Sequence, residues 1–422
     1  MSAALLLGLP FNKASTRSHK APPKPDNERQ ELTDYPRRPF LTVYRGCMMV
    51  VTSIAILAVD FKVFPRRFAK VETWGTSLMD VGVGSFVFAA GLASFKAFPS
   101  EPIPASKTGE ESRGVIGKVI RSVRQSLPLL ILGGARLVSV KNLDYAEHVS
   151  EYGVHWNFFF TLAAIPLALL VLQPLIIAVP GLSHGYFGIF LAALYEIIRQ
   201  TTSLETWILT APRNDLISQN KEGIFSCIGY LAIFLLGIET GSIVLPRELP
   251  RNGLFFKIFR SAGLKLGRQS NRISLLASLA ILTTTYSLFL VVFNTPSIFS
   301  WLCIPVSRRL ANAPYVLWIG AYNTGQLLMF ALVESLVFPS VYQASSAISE
   351  RQAAIMATPE ILDDYNSGGL LVFLFANLGT GLVNLSIDTL KVNNSQAVGI
   401  LVTYMAMLTI LARSTRGIKI KV

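Results

Sequence analysis

The sequence predicts an all-α, polytopic integral membrane protein, and three observations predict it. Of 422 residues, 51% are hydrophobic and only 15% charged, whereas ordinary soluble domains carry about 25% charged residues. The mean hydropathy is +0.48. Apolar runs near the roughly 20 residues that cross a bilayer recur along the chain, with basic segments between them. The formal charge of +13 therefore sits in loops, where it records topology and contact with anionic lipid rather than nucleic-acid binding.

The elements follow in order. Residues 12–39 are rich in Pro, Lys and Arg, and the stretch 1–39 is expected to be a disordered basic arm. Its start, "MSAALLLGLPF", is too short to span and lacks the basic leader of a signal peptide. Spanning helices are expected near 41–59, 76–97, 119–140, 157–179, 184–208, 223–242, 273–293, 312–339, 367–388 and 396–413. That makes about ten spans in one multi-pass domain, residues 40–413, followed by a short basic tail, 414–422. The segment 184–208 stands apart because "YEIIRQTTSLET" ends it in polar residues, as in a tilted or re-entrant helix. Cys47, Cys227 and Cys303 are scattered without metal or disulfide spacing. No HExxH-like spacing occurs, and no metal is expected. The sequon at Asn384 lies inside an apolar run, and the one at Asn393 lies close to the membrane, so neither reads as a glycosylation site.

Loop charge sets the expected orientation. The arm, the loop 243–272 with its seven Lys and Arg residues, and the tail fall on one side, which the positive-inside rule assigns to the cytosol. Loops 60–75, 141–156, 209–222, 294–311 and 389–395 then face the lumen. Two of them are islands of ionisable residues at the same face. "VDFKVFPRRFAK" puts Asp60, Arg66, Arg67 and Lys70 at the lip of the first span. "ARLVSVKNLDYAEHVSEYGVHWN" carries Arg136, Lys141, Asp144, Glu147, His148, Glu151, His155 and Asn157. Charges at membrane depth are costly and usually functional.

Each has a plainer role as well. Arg66, Arg67 and Lys70 suit headgroup anchoring. Asp60 suits a helix cap or a pair with Lys70, and His155 beside Trp156 suits an interfacial aromatic belt. Asp80, within "SLMDVGVG", reads as a polar contact between helices rather than a catalyst, so Asp80→Asn is expected to keep substantial turnover. No GxSxG or HxxxxD pattern supplies a nucleophile or acyl-transfer pair. A carboxylate at the edge of an apolar pocket acts as a general base, a lysine steadies an oxyanion, and forked arginines hold phosphate. Because Pro65 lies between Asp60 and Lys70, the chain is expected to turn there and bring the lysine back toward the aspartate.

The segments "AILAVDFKVFPRRFAKVETWGTSLMDVGVGSF", "GARLVSVKNLDYAEHVSEYGVHWNFFFTLA", "SRRLANAPYVLWIGAYNTGQL" and "YNSGGLLVFLFANLGTGLVNLSIDTL" resemble the GPI-anchor inositol acyltransferase family in its fungal branch, from about residue 36 onward. The resemblance implies a multi-pass enzyme of the endoplasmic-reticulum membrane. Such an enzyme moves a fatty acyl group, usually palmitoyl, from acyl-CoA to the inositol 2-hydroxyl of glucosaminyl-phosphatidylinositol. It implies catalytic roles for Asp60 and Lys70. The expected substrate-binding set is Arg66, Arg67, Trp74, Arg136, Lys141, Asp144, His155 and Asn157. Acyl-CoA is a co-substrate, and no cofactor is held permanently. Members of that family usually carry about three further helices before the segment resembling "RPFLTVYRG". The competing classes are a transporter or lipid scramblase with a charged pathway, for which Pro166 and Pro174 are the notable helix breaks, and a non-catalytic subunit of a membrane complex.

Overall fold

A computed structural model describes residues 34–98, 115–142, 149–249, 253–262, 271–294 and 304–416. The regular structure among them is helical throughout. In chain order the helices are α1 (Pro39–Ala58), α2 (Leu78–Ser94), α3 (Val115–Asn142), α4 (Val149–Tyr152), α5 (Phe158–Ala178) and α6 (His184–Thr201). Then come α7 (Leu204–Thr210), α8 (Leu216–Gln219), α9 (Lys221–Val244), α10 (Leu254–Ser261) and α11 (Asn271–Asn294). The last are α12 (Ala313–Val337), α13 (Ser340–Gln343), α14 (Ala347–Ala357), α15 (Glu360–Ser367), α16 (Gly369–Ser386) and α17 (Asn394–Ser414). Among the described residues, seven helices (α1, α5, α9, α11, α12, α16 and α17) are long and apolar enough to cross a membrane. The shorter apolar α2 and the more polar α3 and α6 fill the remaining expected positions.

Two expectations need correction. The stretch 184–208 is two helices, α6 and α7, because Arg199 near the end of α6 turns inward onto the carboxylates of Glu196 and Glu205, and the chain bends at Thr202 and Ser203 to close that contact. Pro166 and Pro174 lie inside a continuous α5 and do not break it.

α9 is the central post, with most of its length buried among neighbours. Small residues let α2 approach it closely. A Cβ on Gly91 would stand 2.1 Å from the Phe234 carbonyl oxygen, and one on Gly237 would stand 2.2 Å from that of Phe88. In lipid there is little hydrophobic gain between helices, so such close backbone contact supplies the packing energy. The main core gathers Phe88, Leu92, Phe234, Leu235, Leu236, Tyr315 and Ile319 from α2, α9 and α12. α16 and α17 form a smaller lobe against α1, through Leu57, Phe61, Ala376, Ala397, Tyr404 and Leu408. Their outer faces leave Leu378, Leu382, Leu385, Val402 and Ile410 exposed, as a lipid-facing surface should.

The bundle has two polar ends, marked by the ends of α9. At its C-terminal end, residues 34–38, expected to belong to the arm, are docked. Arg38 donates to the Val244 and Pro246 carbonyls at 3.2 and 3.3 Å. The Arg247 amide donates to the Asp34 carbonyl at 2.7 Å. Arg247 also pairs with Glu350 at 2.6 Å. The rest of the arm and the end of the tail lie outside the described residues. The other end collects the loop after α1, α4, α7, α8 and the segment 304–312, and it holds the charged groups described next.

Candidate active site

Asp60 follows the C-cap residue Val59 of α1. A carboxylate there is set against the helix dipole, at the end where stability alone would place a cation. Arg66 supplies that cation: its guanidinium donates to the Val59 carbonyl at 2.8 Å and caps the helix. Asp60 is partly buried, and its carboxylate accepts a 2.9 Å hydrogen bond from the Asn384 side-chain amide in the last turn of α16. Pro65 opens a short 3₁₀ turn, Arg66–Phe68, and the backbone leaves it extended at Ala69. Arg67 lies over the Phe68 ring at 4.9 Å. Both arginines are exposed.

The chain does turn at Pro65, but among the described residues Lys70 forms its ion pair with Glu151 rather than Asp60. The extended segment after Ala69 is strapped to the other side of the site. The Val71 amide donates to the Asp80 carboxylate at 3.2 Å, the Gly75 amide to the Val306 carbonyl at 2.8 Å, and the Ser307 hydroxyl to the Thr73 carbonyl at 2.6 Å. Lys70 is thereby carried to Glu151 of α4, which it meets at 3.1 Å.

Glu151 opens a chain of ion pairs that leads inward. Arg308 reaches it at 3.3 Å and turns its Nε onto Asp80 at 2.7 Å. Asp80 is fully buried, and Arg308 is 4% exposed. Asp80 also accepts from the hydroxyl of Ser77, the N-cap of α2, at 2.7 Å, and its carbonyl accepts from the Tyr315 hydroxyl at 2.9 Å. Burial pulls the Arg308 guanidinium toward its neutral form. The Glu151 carboxylate first, then Tyr230, Tyr152 and Asp80, more than offset this and hold it above the ordinary arginine range.

Two further hubs lie nearby. Glu222, fully buried at the start of α9, takes a bidentate pair from Arg213 at 2.6 and 3.0 Å and a third contact from Arg309 at 2.9 Å. Glu196 pairs with Arg199 and accepts from the Ala313 amide at 3.1 Å, which fixes the start of α12. The loop carrying Arg308 and Arg309 can seat against α9 only because residue 229 is glycine, since a Cβ there would lie 1.8 Å from the Ala311 carbonyl oxygen.

The two sequence islands thus meet through Lys70, Glu151 and Arg308, while the Asp60 carboxylate contacts Asn384 of α16. Trp74 supports Arg199, whose guanidinium lies 5.7 Å from the ring centroid. Asn157 is the buried N-cap of α5, accepting from the Phe159 and Phe160 amides and donating to the Gly133 carbonyl of α3 at 3.0 Å. The His155 ring meets Gln219 at 3.2 Å, and its amide donates to Asn220 at 2.8 Å. Arg136 is exposed on α3. Asp144 and the side chain of Lys141 lie outside the described residues. Sequence reasoning passed over Arg308, Arg309, Arg213, Glu222 and Asn384 as site residues. The adjacent arginines of "SRRLAN", lodged between apolar runs, were the available signal for two of them.

The GWT1 family model matches residues 1–415. The chain belongs to the GWT1 family. Among its relatives, GPI-anchored wall transfer protein 1 of Gibberella zeae is 45% identical over 410 residues, covering 95% of this chain and 77% of the relative. The protein of the same name from Aspergillus fumigatus is 43% identical over 432 residues, covering 100% of this chain and 82% of the relative. That from Candida albicans is 39% identical over 402 residues, with 93% and 78% covered. The GWT1 match takes in the loop after α1, α4, the 304–312 segment and α16, so every group described above falls within it.

Proposed function

We propose that this GWT1-family protein transfers a fatty acyl group, palmitoyl in the first instance, from acyl-CoA to the inositol 2-hydroxyl of glucosaminyl-phosphatidylinositol in the endoplasmic-reticulum membrane. One observation carries the assignment of its base. At the polar end of the bundle, Asp80, Glu151, Glu196, Glu205 and Glu222 each pair with arginine or lysine. The partner of Asp60 is instead the neutral amide of Asn384. Among the described residues the Asp60 carboxylate lies outside the salt bridges, and it stands at the lip of α1 beside exposed cations suited to a phosphate, the placement a general base needs.

In the reaction, Asp60 takes the proton from the inositol hydroxyl as its oxygen bonds to the thioester carbonyl carbon. The tetrahedral oxyanion then expels the CoA sulfur, which recovers the proton from Asp60. Lys70 is suited to steady that oxyanion. Its pair with Glu151 is half exposed, the kind worth about 1 kcal/mol or less, so leaving Glu151 costs little. The decisive assay incubates purified protein with palmitoyl-CoA and glucosaminyl-phosphatidylinositol and reads the glycolipid by mass spectrometry. A palmitoyl mass increase on the inositol supports the reading. An unmodified glycolipid, or acylation elsewhere on it, overturns it.

Two predictions accompany this reading. Arg66→Ala and Arg67→Ala should raise the apparent KM for the glycolipid more than they lower kcat, because phosphate is held in ground and transition states alike. Unchanged kinetics in both variants would leave them as headgroup anchors. For orientation, single cysteines placed in loop 60–75 and at residues 150 and 306 of sealed microsomes should be protected from an impermeant maleimide, while one near residue 256 should react. Labelling of the first three from outside would invert the proposed lumenal assignment.

A further inference from the structure

Asn384 does more than hold α16 against α1. A carboxylate only accepts hydrogen bonds, so the 2.9 Å contact with Asp60 requires the amide to present its Nδ2. That choice fixes where the other half of the amide goes. Oδ1 is buried and has no hydrogen-bond partner among the described residues. Buried acceptors of this kind are uncommon in folded proteins, and the group that completes one is a donor such as a hydroxyl.

The register that brings Asn384 to Asp60 is set deeper in the membrane. The Tyr404 hydroxyl of α17 contacts the Ser53 carbonyl of α1 at 3.1 Å and the Ala376 carbonyl of α16 at 3.0 Å. Ala376 packs against Leu57 at the end of α1, and Asn384, a little over two helical turns further on, reaches Asp60 just beyond it. Leu382 and Leu385, on the other sides of the same turn, are exposed. A polar side chain on an otherwise lipid-facing helix is costly unless it has a task. The sequon serine, Ser386, donates to the Leu382 carbonyl at 2.8 Å, and the Asn384 amide nitrogen is engaged by Asp60, so glycosylation is not that task.

We propose that Asn384 is a positioning residue for the acyl transfer. Its Nδ2 holds the Asp60 carboxylate toward the reacting hydroxyl, and its Oδ1 accepts from a neighbouring hydroxyl of the polyol headgroup. The proposal rests on the acyltransferase reading above and adds a residue and a substrate contact to it. The test uses Asn384→Leu, similar in size but without donor or acceptor, in the purified full chain with palmitoyl-CoA and glucosaminyl-phosphatidylinositol.

The expected result is a kcat lower by about 10–100-fold, the scale of a hydrogen bond to a charged group. A raised KM for the glycolipid and an unchanged KM for palmitoyl-CoA should accompany it. In an Asp60→Asn background the same substitution should cost less than about twofold in kcat, since the two residues act as a unit. Size-exclusion profiles report folding separately. A well-folded Asn384→Leu protein with wild-type kcat overturns the positioning role and leaves the acyltransferase reading standing. An equal loss in both backgrounds also overturns it, by making the effect structural. Wild-type protein that transfers no acyl group overturns both.

Discussion

Asp60→Asn should lower kcat by about 10²–10⁴-fold, the usual contribution of a positioned general base, while folded yield and acyl-CoA binding stay near wild type. The physical ground for separating chemistry from folding is local. The carboxylate makes a hydrogen bond to a neutral amide and stands at the lip of α1, outside the ion pairs that tie the helices together. An asparagine at residue 60 keeps the shape and still accepts from Asn384, but it takes no proton. Lys70→Ala should lower turnover too, and its stability cost should be small because its pair with Glu151 is half exposed. The double variant should be scarcely worse than Asp60→Asn alone if the two groups serve one transition state. Single-turnover rates by mass spectrometry, together with thermal unfolding in detergent, measure both sides. Wild-type turnover in Asp60→Asn protein would remove the base assignment.

Much of the fold was legible because its signal is local. A run of about 20 apolar residues has few alternatives to a spanning helix, and each expected position holds helix, seven of them long and apolar enough to cross among the described residues. The split of 184–208 was foreshadowed by the polar end of the segment, but not its cause, since Arg199 is satisfied partly by Glu205 beyond the bend. The site was legible in its components and not in its pairings. Asp60, Lys70 and the second island stand out in sequence as charges beside apolar runs. Their partners come from far along the chain: Asn384 is 324 residues from Asp60, and Arg308 is 228 from Asp80. A single sequence holds no trace of such contacts. Proximity in sequence favoured a pair between Asp60 and Lys70, but the strap formed by Val71, Thr73 and Gly75 directs the lysine elsewhere.

Arg308→Ala should be the most destabilising of these substitutions, and for a reason unrelated to chemistry. Arg308 is 4% exposed and links fully buried Asp80 to Glu151, so removing it strands a buried carboxylate without its cation. Breaking a buried ion pair by deleting one partner costs about 3–5 kcal/mol. Asp80 also accepts from Ser77, Val71 and the Arg308 Nε at the start of α2, so its loss loosens the strap that carries Lys70. This revises the expectation drawn from sequence for Asp80→Asn. The amide keeps the hydrogen bonds from Ser77 and Val71 but no longer opposes the guanidinium, so folded yield should fall while the molecules that fold still turn over. Removing both charges, as in Asp80→Asn with Arg308→Met, should cost much less than the two single losses added together. Thermal unfolding and yield across this double-mutant cycle measure the coupling. Additive losses, or an Arg308→Ala protein that melts like wild type, would show that the Asp80–Arg308 pair does not hold this end of the bundle together.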